Sequence, residues 1–153
     1  MQGKTSAESV VHLSLAIMQD MTNPFGTAHG GDLLKLMDNA AGYCAVKHSR
    51  GRVATRAISQ VEFLAPIQLS NIAHCKAQLT YTSKHAMEIK VEITAEDVWL
   101  QTFIPSVKAY FICVLLNEDA SQVLEIPPLL PANEAEKAEF EAGQIRMKQN
   151  IHY

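Results

Sequence analysis

The residues best suited to do chemistry cluster between Asn23 and Asp38. Asp38 lies in a stretch of helical spacing. Its neighbours three and four positions away include Leu34, Ala41 and Gly42, and none of these pairs with a carboxylate. An ionised carboxylate in such company is costly unless something compensates it. Two readings fit. Asp38 either caps a loop or meets a basic residue from elsewhere, or it is a catalytic carboxylate with a pKa raised by desolvation. The pair Gly30-Gly31 precedes the stretch. The first turn of a helix leaves N–H groups unpaired and carries partial positive charge, and glycines let a ligand come close. That outlines an oxyanion or phosphate site, or simply a tight turn into a helix. His29, just before the glycines, is a turn histidine able to bond backbone, and no direct proton transfer is assigned to it. Asn23 precedes Pro24, which biases it toward extended backbone. It is either an Asx turn that shapes the loop or an active-site polar group.

The elements that must position these groups follow from hydrophobic spacing. From Asp32 onward the period is helical, with Leu33, Leu36, Met37, Ala40 and Cys44 on one stripe and Leu34, Ala41 and Ala45 on the next. A helix apolar over so much of its girth is expected to be buried, with something wrapped around it. Ala40, Ala41, Gly42 and Ala45 keep its middle thin enough for another backbone to approach. Residues 9–18 alternate as a strand. Residues 53–63 follow as a long one, with Val53, Thr55, Ala57, Ser59, Val61 and Phe63 on one side. Residues 72–82 form the next strand. In the one after it Met87, Ile89, Val91 and Ile93 point inward, and Glu88, Lys90, Glu92 and Thr94 point to water. Residues 97–106, with Trp99, Phe103 and Pro105, read as an irregular loop. The last strand spans 107–116 and is apolar on both faces from Tyr110. After an extended Pro-rich linker at 126–131, Asn133 caps a peripheral helix over 134–149 with a thin apolar face of Phe140, Ile145 and Met147. Strand, long helix, four strands and tail helix, joined by short turns, give an α+β architecture. A curved antiparallel sheet of about five strands wraps around one central helix.

Composition narrows the class. A chain of 153 residues fits one domain, and a net charge of −3 with no basic block argues against a nucleic-acid surface. Cys44, Cys75 and Cys113 lie in apolar patterns at no metal-ligand spacing, so they are expected to be reduced core thiols, with no metal. The N-terminal residues lack the apolar core of a signal peptide, and no run approaches ~18 apolar residues. The expectation is a soluble, cytoplasmic protein with no membrane partner.

Together, Asn23-x-x-Gly26-x-x-His29-Gly30-Gly31, Leu34, Met37-Asp38 and Ala41-Gly42, then Thr55, Phe63-x-x-Pro66, and finally Phe140, Gly143 and Arg146 form an ordered pattern. It resembles the hotdog-fold acyl-CoA thioesterases, in the branch of broad-range cytosolic acyl-CoA hydrolases, over about 9–148. The resemblance implies a hotdog domain over 1–131 with a helical tail over 132–153. It implies hydrolysis of acyl-CoA thioesters to free fatty acid and coenzyme A, which is part of the substrate; no other cofactor is expected. Asp38 would act as general base, or as nucleophile through an anhydride. A backbone N–H near Gly31 or Asp32 would hold the thioester oxygen. Asn23 would orient water or substrate from the other subunit of a homodimer, which assembles further to a tetramer or hexamer. His29 and Gly30 would border the substrate. Arg50, Arg52 and Lys84 are candidates for the coenzyme A phosphates, although each alone is more often a solvated surface charge. One departure is His85-Ala86, where the family often carries small hydroxyl residues. Two competing classes fit less well. A hotdog dehydratase acting on carrier-protein substrates would pair His29 with Asp38, but its Pro-rich turn after the histidine is missing. A non-catalytic acyl-CoA-binding protein can lack the catalytic acid, whereas this chain keeps Asp38.

Overall fold

The computed structural model describes residues 1–150; residues 151–153 of the expected tail lie outside the described residues. The element order is β1 (Val11–Ala16), α1 (Gly30–Ser49), β2 (Arg52–Phe63), β3 (Ile72–Thr82), β4 (Met87–Asp97), β5 (Thr102–Leu116) and α2 (Glu134–Asn150), with single 3-10 turns at Ser6–Glu8 and Gln19–Met21. The strands form one antiparallel sheet in the order β1-β3-β4-β5-β2. This is the five-stranded sheet, central helix and tail helix that the spacing predicts.

The core lies between the concave sheet face and α1. Leu33, Leu36, Met37, Ala40, Ala41, Cys44 and Ala45 of the helix are buried against Ala73, Cys75, Ala77, Ile89, Val91, Ile93, Ala109, Phe111 and Cys113. A fully buried Leu, Ile or Phe contributes roughly 1.5–3 kcal/mol, so this seam carries much of the fold's stability. All three cysteines are free and buried, and burial pushes their thiols up, to about 11 for Cys44 and about 12 for Cys75 and Cys113.

Several expectations need correction. The sheet covers α1 on one side only: Lys35, Asp38, Asn39, Tyr43 and Val46 are exposed. A β-carbon added at Gly42 would meet nothing within 4 Å, so that glycine faces open space, while Ala40, Ala41 and Ala45 of the thin middle are buried against the sheet. Residues 97–106 are not a loop. Asp97 Oδ1 accepts from the N–H groups of Trp99 and Leu100, closing a tight turn, and β5 begins at Thr102. Pro105 fits in this central strand because the β4–β5 register shifts between Ile93 and Thr94, next to its partner Thr94. The alternation expected along β2 breaks at two register shifts, one beside a positive φ at Gln60.

The largest departure is Glu88, which does not point into water. α2 lies over the outer sheet face, and Glu88 is completely buried beneath it. Arg146 Nε and Nη2 donate to its two carboxylate oxygens at 3.0 and 2.8 Å, and the Thr80 hydroxyl donates at 2.6 Å. The Arg146 guanidinium also sits 3.9 Å from the Tyr110 ring centroid, and Phe140 meets Tyr81 edge-on at 4.8 Å. Gly143 makes the close approach possible: a β-carbon there would lie 2.7 Å from Glu88 Oε1 and from Tyr81 Cβ. As expected, Asn133 caps α2, its Oδ1 accepting from the Glu136 N–H at 2.9 Å.

Candidate active site

The first turn of α1 is shaped by the residue before it. His29 has extended backbone (φ −68°, ψ 129°), and its Nδ1 accepts from the Gly31 N–H at 2.9 Å. Its carbonyl accepts from the N–H groups of Asp32 and Leu33 at 3.0 and 3.2 Å. Both amides expected to hold a thioester oxygen, Gly31 and Asp32, are therefore occupied within this chain. The Gly30 N–H has no acceptor among the described residues. Gly30 borders an open groove of about 420 Å³ lined by Ala28, Leu33 and the run from Phe63 to Ile67. The Phe63 ring closes one side, 3.3 Å from where a Gly30 β-carbon would stand.

Asp38 lies two turns further along α1, on its exposed face. The desolvation expected of it is not supplied by this chain's own core. It has a partner that the helix spacing does not reveal: the Thr55 hydroxyl on β2 donates to Asp38 Oδ1 at 2.6 Å. Behind Thr55 is Cys113, with Sγ 3.9 Å from the Thr55 oxygen. Burial holds that thiol high, with the Thr55 contact pulling down and the nearby Asp38 charge pushing up, so it is a neutral wall behind the Asp38–Thr55 pair. β2 is the last strand of the sheet, so its outer edge is unpaired among the described residues.

Asn23 forms the Asx turn. Its Oδ1 accepts from the N–H groups of Phe25 and Thr27 at 2.9 and 3.2 Å, and its amide nitrogen donates to Thr27 Oγ1 at 2.7 Å. Among the described residues, its hydrogen bonds all stay within its own loop. Arg50 ends α1 in the left-handed region (φ 58°), which places it about 30 Å along the helix from Gly30. Arg52 donates to the Glu118 carbonyl at 2.8 Å, and Lys84 pairs with Glu125 at 3.1 Å on the surface. Within one chain, then, the structure brings Asp38 to Thr55 and His29 to Gly31, and leaves Asn23, Arg50, Arg52 and Lys84 elsewhere. Thr55 is the site residue that spacing alone misses; it was legible only as one member of the ordered pattern. Among the described residues no cluster of His, Cys, Asp or Glu is arranged to hold a metal ion, and no helix is long and apolar enough to cross a membrane.

A family model described as the thioesterase superfamily matches residues 25–99. An uncharacterised acyl-CoA thioester hydrolase of Zymomonas mobilis is 31% identical over 108 residues, covering 71% of this chain and 72% of that protein. The chain belongs to the thioesterase superfamily. Within that superfamily, the cytosolic acyl coenzyme A thioester hydrolase of Mus musculus is 32% identical over 127 residues, 78% of this chain. The aligned part is only 33% of the mouse protein, so the chain spans about a third of that relative's length. The acyl-CoA hydrolase of Staphylococcus aureus, solved with butyryl coenzyme A and coenzyme A, is 26% identical and superimposes with a TM-score of 0.88 over 95% of this chain and 88% of that one. Structures of that enzyme also exist with an aspartate, a threonine or an asparagine changed to alanine.

Proposed function

We propose that this chain hydrolyses acyl-CoA thioesters to a free acid and coenzyme A. The observation that carries the proposal is the pairing of Asp38 with Thr55 beside an open sheet edge, in a chain of the thioesterase superfamily. The aspartate, threonine and asparagine replaced in the Staphylococcus aureus hydrolase have the same spacing as Asp38, Thr55 and Asn23 here, which supports giving these three a shared task.

In this reading the thioester oxygen sits at the start of α1 of the chain that supplies Asn23, opposite the other chain's Asp38, where Gly30 offers its free amide and Gly31 offers its own once the His29 ring swings away. The helix N-terminus stabilises the negative charge that develops as the carbonyl becomes tetrahedral. Asp38 takes the proton of the attacking water, or attacks directly to give an anhydride that water then opens. Thr55 holds one Asp38 oxygen, which leaves the other aimed at the reacting atoms. The thiolate of coenzyme A leaves and recovers a proton. The groove beside Gly30 and Phe63 would take the substrate next to the reacting carbonyl.

The site is completed by a second copy of the chain. Asp38, Thr55, Tyr43 and the open flank of Gly42 are all exposed along the unpaired side of α1 and β2, where a partner would desolvate them. That partner would bring its Asn23 loop, as the resemblance implies. Arg50, Arg52 and Lys84 would reach the coenzyme A phosphates from the chain that supplies Asp38, because they stand far from Gly30 in their own chain. Further assembly of the homodimer and a cytoplasmic location belong to the same proposal. The test is release of free thiol from a panel of acyl-CoAs, from acetyl to palmitoyl. Steady release from at least one member is the expected result; no release from any would overturn the proposal, and hydration of a crotonyl thioester in its place would favour the dehydratase.

A further inference from the structure

We propose that Ser14, His74 and Glu96 form a second reactive centre on the outer face of the sheet, in which Ser14 is an activated nucleophile toward acyl and phosphonyl electrophiles. Ser14 on β1 stands directly opposite His74 on β3, and its hydroxyl lies 2.7 Å from His74 Nδ1. On the other side of the ring, His74 Nε2 lies 2.7 Å from Glu96 Oε1 on β4. Three neighbouring strands thus place a hydroxyl, an imidazole and a carboxylate in line, with both ring nitrogens engaged. A carboxylate offers only acceptors, so the neutral ring carries its proton on Nε2. That leaves Nδ1 as the acceptor for the Ser14 proton, the arrangement that turns a hydroxyl into a nucleophile.

The pleat explains how these groups come to face out together. Along β1 the apolar residues Val11, Leu13 and Leu15 take the core side, so Ser14 takes the other. Along β3, Ala73 and Cys75 are buried, so His74 projects outward. α2 covers the outer face around Glu88 but leaves this region open. The Ser14 side is exposed, and the His74 and Glu96 side chains keep 39% and 25% of their accessible surface. The Phe103 ring lies 6.4 Å from the His74 ring and is 63% exposed, and the same β4–β5 hairpin carries the exposed Trp99 and Leu100. These give apolar surface on which an acyl or alkyl chain can lie next to the hydroxyl.

The reaction is attack of Ser14 Oγ on the electrophilic centre, with His74 Nδ1 taking the hydroxyl proton. With an acyl-CoA, the Oγ–C bond forms, the C–S bond breaks, and the proton passes to the departing thiolate to give acyl-Ser14 and coenzyme A. With a fluorophosphonate, the Oγ–P bond forms and fluoride leaves with the proton. The developing oxyanion on this open face is held by water, so the expected behaviour is stoichiometric capture rather than rapid turnover. Glu96 acts through His74 and is a positioning residue.

The test uses the full chain with an alkyl fluorophosphonate, followed by intact mass and peptide mapping across pH 5–9. A single adduct on Ser14 is expected in the wild-type chain and equally in Asp38→Asn, which separates this centre from the proposed hydrolase site. His74→Ala should slow labelling at least about 100-fold, the usual weight of a general base. Glu96→Gln should slow it about tenfold and move the midpoint of the rate–pH curve, a readout that a merely structural residue would leave unchanged. Ser14→Ala should give no adduct, with an unchanged circular dichroism spectrum and melting temperature. No adduct on Ser14, labelling at another serine, an unchanged rate in His74→Ala, or an unchanged rate and pH curve in Glu96→Gln would each overturn the proposal.

Discussion

The buried ion pair under α2 allows a prediction with a magnitude. Glu88 has no exposed surface, and its carboxylate is satisfied by Arg146 at 3.0 and 2.8 Å and by Thr80 at 2.6 Å. Arg146→Met keeps much of the side chain's bulk but removes two charged donors and the cation over Tyr110. Removing one partner of a buried pair costs about 3–5 kcal/mol, because the remaining charge stays desolvated. For a chain of this size each kcal/mol lowers the melting temperature by roughly 2–4 °C, so the expected drop is roughly 6–20 °C. The double variant Glu88→Gln/Arg146→Met removes both charges and should recover most of the loss. Urea unfolding of the wild type, Arg146→Met and the double variant measures both the loss and the recovery. A loss below about 1 kcal/mol, or no recovery in the double variant, would refute the account of α2 as held by a desolvated charge pair.

Three further outcomes follow. His48 is fully buried, and burial lowers its pKa, partly opposed by the Pro127 carbonyl 2.7 Å from Nε2. The unfolded chain therefore binds the proton first as pH drops below about 6.5, so stability should be lower at pH 5.5 than at pH 7.5. Urea unfolding of His48→Gln should show a shallower dependence, and an identical slope would contradict this. His29→Ala removes the ring that caps α1 and should cost about 1 kcal/mol in a thermal melt while thiol release stays within about tenfold, since the ring is assigned no proton transfer. Finally, inactive Asn23→Ala and Asp38→Asn chains, mixed and allowed to exchange subunits, should recover roughly a quarter of wild-type activity, because half the dimers regain one composite site. No recovery after exchange confirmed by mass would contradict a shared site.

Much of the fold was legible because its signals are periodic. The helical spacing from Leu33 to Ala45 and the alternation from Met87 to Ile93 each name one buried face, and the structure buries those faces. What period cannot report is what covers the other face. Glu88 read as a solvent-facing residue because nothing local shows that Arg146, far along the chain, comes to lie over it. The β4–β5 hairpin is hidden in the sequence because Pro105 and the aromatic run mask a turn that depends on one Asp97 carboxylate. The site divides the same way. Asp38 and Gly30-Gly31 stood out by residue type against their neighbours. Thr55, the direct partner of Asp38, sits on another element and shows no anomaly of its own. The occupation of the Gly31 amide by His29 was likewise invisible, because it depends on a ring orientation set by the extended backbone at the cap.

The most direct test of the central claim is the rate of thiol release from an acyl-CoA by Asp38→Asn beside the wild-type chain, with folding checked by circular dichroism. A folded variant slowed at least about 100-fold is the expected result, since the change removes the group that accepts the proton. A folded Asp38→Asn chain that releases thiol at the wild-type rate would contradict it.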